Sequence, residues 1–141
     1  MNIPQFGTEP EKYQERICAY AVVFNNEKKI LAVKVNSIYH LPGGGVDNNE
    51  SPEEAVVREI KEETGLEISN INLLGKANQF FSNSKMGPLN KLGIFYKANL
   101  ANNKPKDKKE VNHYTSWITP EDFLQSNASE FQKWMVEKTI N

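Results

Sequence analysis

The sequence predicts a single domain of the α/β class, and three observations lead to that prediction. The chain has 141 residues, which is enough for one compact core and too few for two ordinary domains. Several runs of strand-like composition are separated by turn residues. Residues 52–64 carry complete start and stop signals of a helix, and residues 129–140 place their large side chains at helical spacing. We therefore expect one domain over residues 1–141.

The charge of the chain is nearly balanced, with 17 basic and 18 acidic side chains and a formal net charge of -1. Such a chain has no global field that attracts nucleic acid or an anionic membrane, so a phosphate must be bound locally. The single cysteine, Cys18, cannot form an intramolecular disulfide and is expected to be a buried thiol. With no signal-like or membrane-spanning run, we expect a cytoplasmic protein without a membrane partner, and the balanced charge argues against a nucleic-acid partner. The sequence carries no interface signal that distinguishes a monomer from a homodimer.

Several stretches have the composition of β-strands. Residues 16–25 and 29–35 are rich in small and β-branched side chains, and we expect them to pair as a hairpin. Residues 1–15 are polar and contain two prolines, so they are predicted to form an irregular arm, from which Phe6 could dock on the domain. Further strands are predicted at 73–81, 92–100 and 113–118, with a loop at 82–90.

Two helices are predicted after the last strand. Thr119 suits the N-cap of the first, Pro120 suits its first helical position, and two acidic residues follow in the first turn. The second helix covers residues 129–140 and is expected to pack its large side chains on the body of the domain. These side chains are Phe131, Trp134 and Met135.

Three consecutive glycines precede the central helix. Gly43, Gly44 and Gly45 can adopt backbone angles closed to other residues, and they let the main chain approach a ligand closely. We expect a tight loop that contacts the substrate, although glycine runs also occur in turns that bind nothing. The helix that follows is predicted at 52–64, since Ser51 and Glu54 form a capping box, Pro52 starts it and Gly65 ends it.

Three acidic side chains share one face of that helix. Glu59, Glu62 and Glu63 stand at positions i, i+3 and i+4 and border the buried stripe of the helix. Like charges at this spacing repel each other, and a cation would remove the conflict. Oxygen ligands of this kind suit Mg²⁺ or Mn²⁺. The alternative is an ordinary acidic patch beside Arg58.

The stretch from 44 to 66 resembles the Nudix box of MutT-like hydrolases. In that pattern glycine is followed by five residues, glutamate, seven residues, Arg-Glu, an aliphatic residue, one residue, Glu-Glu, one residue, glycine and an aliphatic residue. The resemblance implies a Nudix-type α/β/α sandwich with a mixed central β-sheet and the box as a loop and a helix. All nine fixed positions are present, as Gly44, Glu50, Arg58, Glu59, Ile60, Glu62, Glu63, Gly65 and Leu66.

The resemblance implies Mg²⁺-dependent hydrolysis of a pyrophosphate bond, with Mn²⁺ as a possible substitute. Bound metal neutralises the pyrophosphate and activates a water molecule for attack on phosphorus. Arg58 and Glu50 would hold the site in shape. The implied metal ligands are Glu59, Glu62, Glu63 and the carbonyl of Gly44.

The resemblance also implies a catalytic base, either on the box helix or in a loop ahead of a late strand. Glu110 lies seven residues before Trp117 and is the candidate in the loop, with Glu62 as its competitor. His113 is close in sequence and could polarise a phosphate, although a lone loop histidine more often has no catalytic duty.

Aromatic residues outside the box could stack on a nucleobase, since flat apolar faces suit bases. Each could equally belong to the core. We place two of them, Tyr39 and Phe81, at the substrate site with the three glycines. The others are Phe80 and Tyr96.

The predicted substrate is a nucleoside diphosphate derivative or a nucleoside triphosphate, including modified forms such as 8-oxo-dGTP. One alternative is a module of the same fold that senses a nucleotide without cutting it, which the complete box argues against. Another is a hydrolase of the 5′ end of RNA, for which local lysines such as Lys85, Lys91 and Lys97 would have to supply a basic groove.

Overall fold

The computed structural model describes residues 3–82, 84–102 and 113–140. In this part of the chain five strands precede the first helix, three strands follow it, and two helices come last. None of its helices is long and apolar enough to cross a membrane. In chain order the elements are β1 (Gln5–Phe6), β2 (Gln14–Val23), β3 (Ile30–Val35), β4 (Ile38–His40), β5 (Gly43–Gly45), α1 (Pro52–Thr64), β6 (Glu67–Phe81), β7 (Leu89–Asn102), β8 (Tyr114–Ile118), α2 (Pro120–Gln125) and α3 (Glu130–Ile140).

The strands form two sheets. The larger has the order β1-β6-β7-β2-β5, and it is mixed because β1 with β6 and β2 with β7 run parallel while the other neighbours run antiparallel. The smaller sheet has the order β4-β3-β8 and is antiparallel. The predicted mixed sheet is therefore present, and a second sheet accompanies it.

The prediction that residues 16–25 and 29–35 pair as a hairpin is wrong. One isolated bridge, between Phe24 and Ile30, joins them, and β2 and β3 lie in different sheets. All residues from Cys18 to Val23 are buried, so β2 is covered on both faces. A strand of that kind is stable inside a mixed sheet, where β7 and β5 flank it, and its own turn does not decide its partner.

Helices cover both faces of the larger sheet, as the predicted layered α/β fold requires. Alternate side chains of β2 point to opposite faces, which follows from the two-residue period of a strand. On one face Tyr20 and Val22 pack with Phe131 and Met135 of α3. On the other face are the apolar side chains of β2 and α1, namely Ala19, Ala21, Val23, Ala55, Val56 and Ile60.

The N-terminal arm is more regular than predicted. Gln5 and Phe6 add a short parallel strand to β6, and β2 already begins at Gln14. The ring of Phe6 lies 5.7 Å from that of Trp134, which confirms that this residue docks on the domain. The arm thus closes one edge of the larger sheet.

The central helix has the predicted bounds, and the two long strands after it exceed theirs. β6 begins earlier than predicted, at Glu67. β7 also begins earlier, at Leu89, so the loop between the two strands is shorter than predicted. Thr119 caps α2 as expected, with its hydroxyl accepting a hydrogen bond from Asp122 N. In α3, Phe131 and Met135 are buried and Trp134 packs beside them, as the helical spacing predicted.

The three glycines form the short strand β5, which corrects the prediction of a tight loop. They pair antiparallel with Cys18, Ala19 and Tyr20 of β2. Gly43 has a φ of 143°, and a Cβ atom there would collide with the carbonyl oxygen of Ala19 and lie 2.7 Å from Tyr20 Cα. The missing side chain is what lets β5 approach β2.

We expect Gly43→Ala to destabilise the fold by about 3 kcal/mol or more, because both the collision and the positive φ oppose the new side chain. Urea unfolding measures this change. Gly87→Ala is the matched control, since Gly87 has a φ of 83° but nothing within 4 Å of the added Cβ. That control should cost only about 1 to 2 kcal/mol. Equal losses for the two variants would contradict the close approach of β5.

Candidate active site

The start and end of α1 are fixed by local hydrogen bonds. The Ser51 hydroxyl accepts from Glu54 N at 3.1 Å, and the Glu54 carboxylate accepts from Ser51 N at 2.9 Å. Gly65 has a φ of 76° and donates its N–H to the Lys61 carbonyl. The capping box and the glycine cap are therefore both confirmed. Together they hold the acidic face of α1 at a constant position next to β5.

Arg58 binds several groups around this face. Its Nε and Nη2 donate to the two oxygens of Glu50 at 3.0 and 2.7 Å, and Nη2 also donates to the Gly45 carbonyl at 3.1 Å. Its Nη1 donates to Glu59 at 3.0 Å and to Glu62 at 3.2 Å. One guanidinium thus connects β5, the loop after it and α1.

These contacts change the acidity of the groups involved. The hydrogen bonds from Arg58 hold the pKa of Glu50 at about 2, against an ordinary 4.5, and a hydrogen bond from the Asp47 backbone adds to the effect. The same pair, with a further contribution from Glu59, raises the pKa of Arg58. Glu50 and Arg58 therefore remain charged at neutral pH, as a structural role for both requires.

Glu63 is the most enclosed of the three box carboxylates. It is 7% exposed, and its Oε1 accepts a hydrogen bond from Gly43 N at 2.8 Å. His113 Nε2 lies 3.6 Å from its Oε2. Glu63 therefore links α1 to the glycine strand on one side and to the start of β8 on the other.

Glu59 and Glu62 are partly exposed, with 19% and 24% of their side chains accessible. Both accept a hydrogen bond from Nη1 of Arg58. The Glu59 carboxylate fills the space beside Gly44, since a Cβ atom on Gly44 would lie 2.7 Å from Cδ of Glu59. In the described ranges, side chains of Asp, Glu, His and Cys do not gather in a group of three able to hold a metal. The donors that converge are hard carboxylate oxygens, which is the chemistry that Mg²⁺ prefers.

A cleft of about 800 Å³ opens beside this region. The three glycines, Glu63 and His113 line one part of it, and side chains of the β6–β7 connection line another. Phe80, Phe81 and Met86 supply apolar surface there, while Lys91 Nζ lies 5.3 Å from the centre of the Phe81 ring. An apolar wall together with cations suits a ligand with a flat base and phosphates.

The structure brings some of the predicted substrate residues to this cleft but not all of them. Phe81 and the glycines line it, whereas Tyr39 is not among the lining residues. Tyr39 packs against the core, and Lys34 Nζ lies 5.1 Å from its ring centre. Tyr96 is 4% exposed and donates its hydroxyl to Glu53 at 2.6 Å. Burial and that hydrogen bond raise the pKa of Tyr96, which belongs to the core.

The predicted loop base, Glu110, lies outside the described residues. Glu62, its competitor, is held by Arg58 on α1. His113 lies in the cleft next to Glu63, a position that a lone loop histidine does not reveal in the sequence. Cys18 is buried as expected, and burial raises the pKa of its thiol.

The sequence reasoning missed two basic residues of the cleft, Arg16 and His40. Arg16 lies on β2 and His40 at the end of β4, and both line the cleft. Burial lowers the pKa of His40, and the charges of Lys91 and His113 lower it further. No local signal marks either residue, because strands distant in sequence bring them to the cleft. Lys85 and Lys91, proposed as local cations, also lie there, but Lys97 does not.

Comparison with known proteins agrees with this arrangement. Residues 14–138 match the NUDIX domain. An RNA pyrophosphohydrolase from Hydrogenovibrio crunogenus is 38% identical over 63 residues, which cover 43% of this chain and 38% of that protein. A Bacillus subtilis protein provisionally named 8-oxo-dGTP diphosphatase is 53% identical over 49 residues, which cover 33% of each protein. The chain thus spans less than two thirds of the length of either relative.

A solved structure, a NUDIX hydrolase from Nitrosomonas europaea, superposes with a TM-score of 0.75 at 18% identity, covering 90% of this chain and 89% of that one. At that identity the likeness concerns the fold alone, and it confirms the predicted α/β architecture with a mixed sheet. The match to the NUDIX domain covers most of the sequence. The chain therefore belongs to the Nudix family.

The contact between Glu50 and Arg58 predicts a pH dependence of stability. A carboxyl whose folded pKa is lowered stabilises the fold above its unfolded pKa, and this contribution is lost as the pH falls through the folded pKa. For Glu50 the window runs from 4.5 down to about 2. Urea unfolding at several pH values should therefore give a steeper loss of stability for the wild type than for Glu50→Gln.

A control for this measurement is Glu137→Gln, which changes an exposed glutamate of α3. This variant should keep the wild-type slope between pH 4.5 and 2. If Glu50→Gln kept that slope as well, the contact with Arg58 would not have the proposed effect on the pKa of Glu50.

Proposed function

We propose that the protein hydrolyses a pyrophosphate bond in a nucleoside diphosphate derivative or in a nucleoside triphosphate, including modified ones. The observation that carries the proposal is that Glu59 and Glu62 converge on Nη1 of Arg58 and that the Glu59 carboxylate lies against the glycine strand. An apolar wall formed by Phe81 and Met86 lies in the adjacent cleft. Membership of the Nudix family supports the same reaction.

In this proposal Glu59, Glu62 and Glu63, with the Gly44 carbonyl, would hold Mg²⁺. When bound, the metal supplies charge neutralisation at the phosphates and makes a water molecule more acidic. Arg58 keeps Glu59 and Glu62 oriented through its Nη1. Glu63 fixes the strand β5 by accepting from Gly43 N, so the backbone next to the substrate keeps its shape.

The test is a panel of nucleoside triphosphates and nucleoside diphosphate derivatives incubated with Mg²⁺, with the products identified. Glu59→Gln and Glu62→Gln should each lower turnover roughly 100-fold or more, because a neutral amide is a weaker ligand for Mg²⁺ than a carboxylate. Glu121→Gln, on the exposed side of α2, should keep wild-type turnover. Removal of divalent metal with EDTA should abolish cleavage.

Two outcomes would overturn the proposal. Cleavage by the two box variants at the wild-type rate would remove α1 from the reaction. Binding of nucleotides without any cleavage across the panel would instead support the alternative of a module that senses a nucleotide.

A second candidate function is hydrolysis at the 5′ end of RNA. Lys85 and Lys91 line the cleft and could bind the backbone of a short RNA, although the net charge of the chain is only -1. A relative that matches 43% of this chain bears the name RNA pyrophosphohydrolase. A 5′-triphosphorylated oligoribonucleotide therefore belongs in the panel. Preferred cleavage of that RNA over mononucleotides would favour this candidate.

The role proposed for Glu110 as the base makes a separate prediction. A general base accelerates a reaction by about 100-fold or more and contributes little to substrate affinity. Steady-state kinetics of Glu110→Gln should therefore give a much lower kcat with a nearly unchanged KM. The same control, Glu121→Gln, should alter neither constant. Unchanged turnover in Glu110→Gln would transfer the base role to Glu62.

A further inference from the structure

Two basic residues lie side by side on neighbouring strands of the larger sheet. Arg16 of β2 is the register partner of Lys91 of β7, and both line the cleft. Neighbouring strands are about 5 Å apart, so the two side chains leave the sheet side by side on the same face. This arrangement places two positive charges together at the wall of the cleft.

Like charges at paired positions of a sheet destabilise it unless an anion lies near them. The salt bridges found among residues 3–82, 84–102 and 113–140 include neither Arg16 nor Lys91. The contact of Lys91 with the Phe81 ring orients its ammonium group but does not neutralise it. Glu63, whose carboxylate lines the same cleft, already accepts a hydrogen bond from Gly43 N.

The strand β5 is shaped around Arg16. A Cβ atom on Gly45 would lie 2.5 Å from Nη2 and 2.8 Å from Nε of Arg16, so the guanidinium occupies the space of a side chain at position 45. On the other side of the strand, Gly44 makes the corresponding room for the Glu59 carboxylate. Two adjacent glycines thus let a cation of the cleft and a carboxylate of α1 lie against opposite sides of one short strand.

We propose that Arg16 and Lys91 bind a phosphate of the substrate other than the two joined by the bond that is cut, and that they make the protein selective for triphosphate chains. The inference rests on the proposed hydrolysis and names its substrate class. A nucleoside diphosphate joined to a neutral group has no further phosphate for this pair. Guanidinium and ammonium groups are the side chains that bind phosphate oxygens best, and a charge-assisted contact of this kind is stronger than a neutral one.

The first test measures binding without catalysis. Inorganic tripolyphosphate is titrated into the full chain in EDTA by calorimetry, with Arg16→Gln, Lys91→Gln and the control Lys97→Gln. Lys97 is an exposed lysine of the same strand that does not line the cleft. We expect the first two variants to bind about tenfold more weakly and the control to bind as the wild type does. Equal binding by all four proteins, or none by the wild type, would overturn the inference.

A second variant tests the geometry without removing a charge. Gly45→Ala should fold, because the three atoms nearest the added Cβ all belong to the flexible end of Arg16. It should nevertheless weaken tripolyphosphate binding by displacing the guanidinium. In the double variant with Arg16→Gln the two losses should not add, since both act on one contact. Full additivity would show that position 45 acts independently of Arg16.

The selectivity is read from hydrolysis rates. Arg16→Gln should raise KM about tenfold for a nucleoside triphosphate and leave it unchanged for a nucleoside diphosphate sugar. A 5′-triphosphorylated oligoribonucleotide has the same triphosphate chain as a nucleoside triphosphate. Comparing the KM values of these two substrates tells whether the protein prefers an RNA end or a free nucleotide. If Arg16→Gln still cleaves and its KM equals that of the wild type for both substrates, only the inference fails. Absence of cleavage in the wild type with intact tripolyphosphate binding would instead refute the proposed function.

Discussion

The short strand β5 lies so close to its neighbours that a side chain at any of its three positions would have to displace one of them. The backbone of β2 occupies the space beside Gly43. The Glu59 carboxylate occupies the space beside Gly44, and the Arg16 guanidinium occupies the space beside Gly45. The three contacts differ in rigidity. A backbone atom cannot move without disturbing the sheet, whereas the ends of two long side chains can. The first glycine is therefore a requirement of the fold, and the other two are requirements of the site.

Charge balance on α1 depends on the same strand. Several carboxylates crowd one end of this helix, and their mutual repulsion would favour a different arrangement if nothing opposed it. Arg58 opposes it by contacting Glu50, Glu59 and Glu62 at once and by donating to the Gly45 carbonyl. Since the guanidinium carries a single charge, the cluster remains acidic, which is what the proposed binding of Mg²⁺ requires. Arg58 thus holds the carboxylates in place without neutralising them.

The sequence predicted the central helix to the residue, because its start and end depend on signals within a few positions of each other. Partners of the strands were less predictable. The expected hairpin failed since burial on both faces draws β2 between β7 and β5, and no turn signal records that. No local signal records the positions of Tyr39 and Arg16 either. Tyr39 packs against the core, and Arg16 lines the cleft. The proposed base, Glu110, lies outside the described residues and remains a prediction.

The helix and its loop were more predictable than the partners of the strands for a physical reason that also bears on function. The proposed metal ligands and Arg58, which orients two of them, lie within one stretch, 43–63, where a strand, a loop and a helix are consecutive, so their spacing can be read from the chain. The groups proposed for recognition come from β2, β7 and the β6–β7 connection, which only the sheet brings together. A change of one cation there would alter the preferred phosphate chain without touching the box. Reaction class and substrate choice can therefore vary separately in this fold, and evidence for the first does not determine the second.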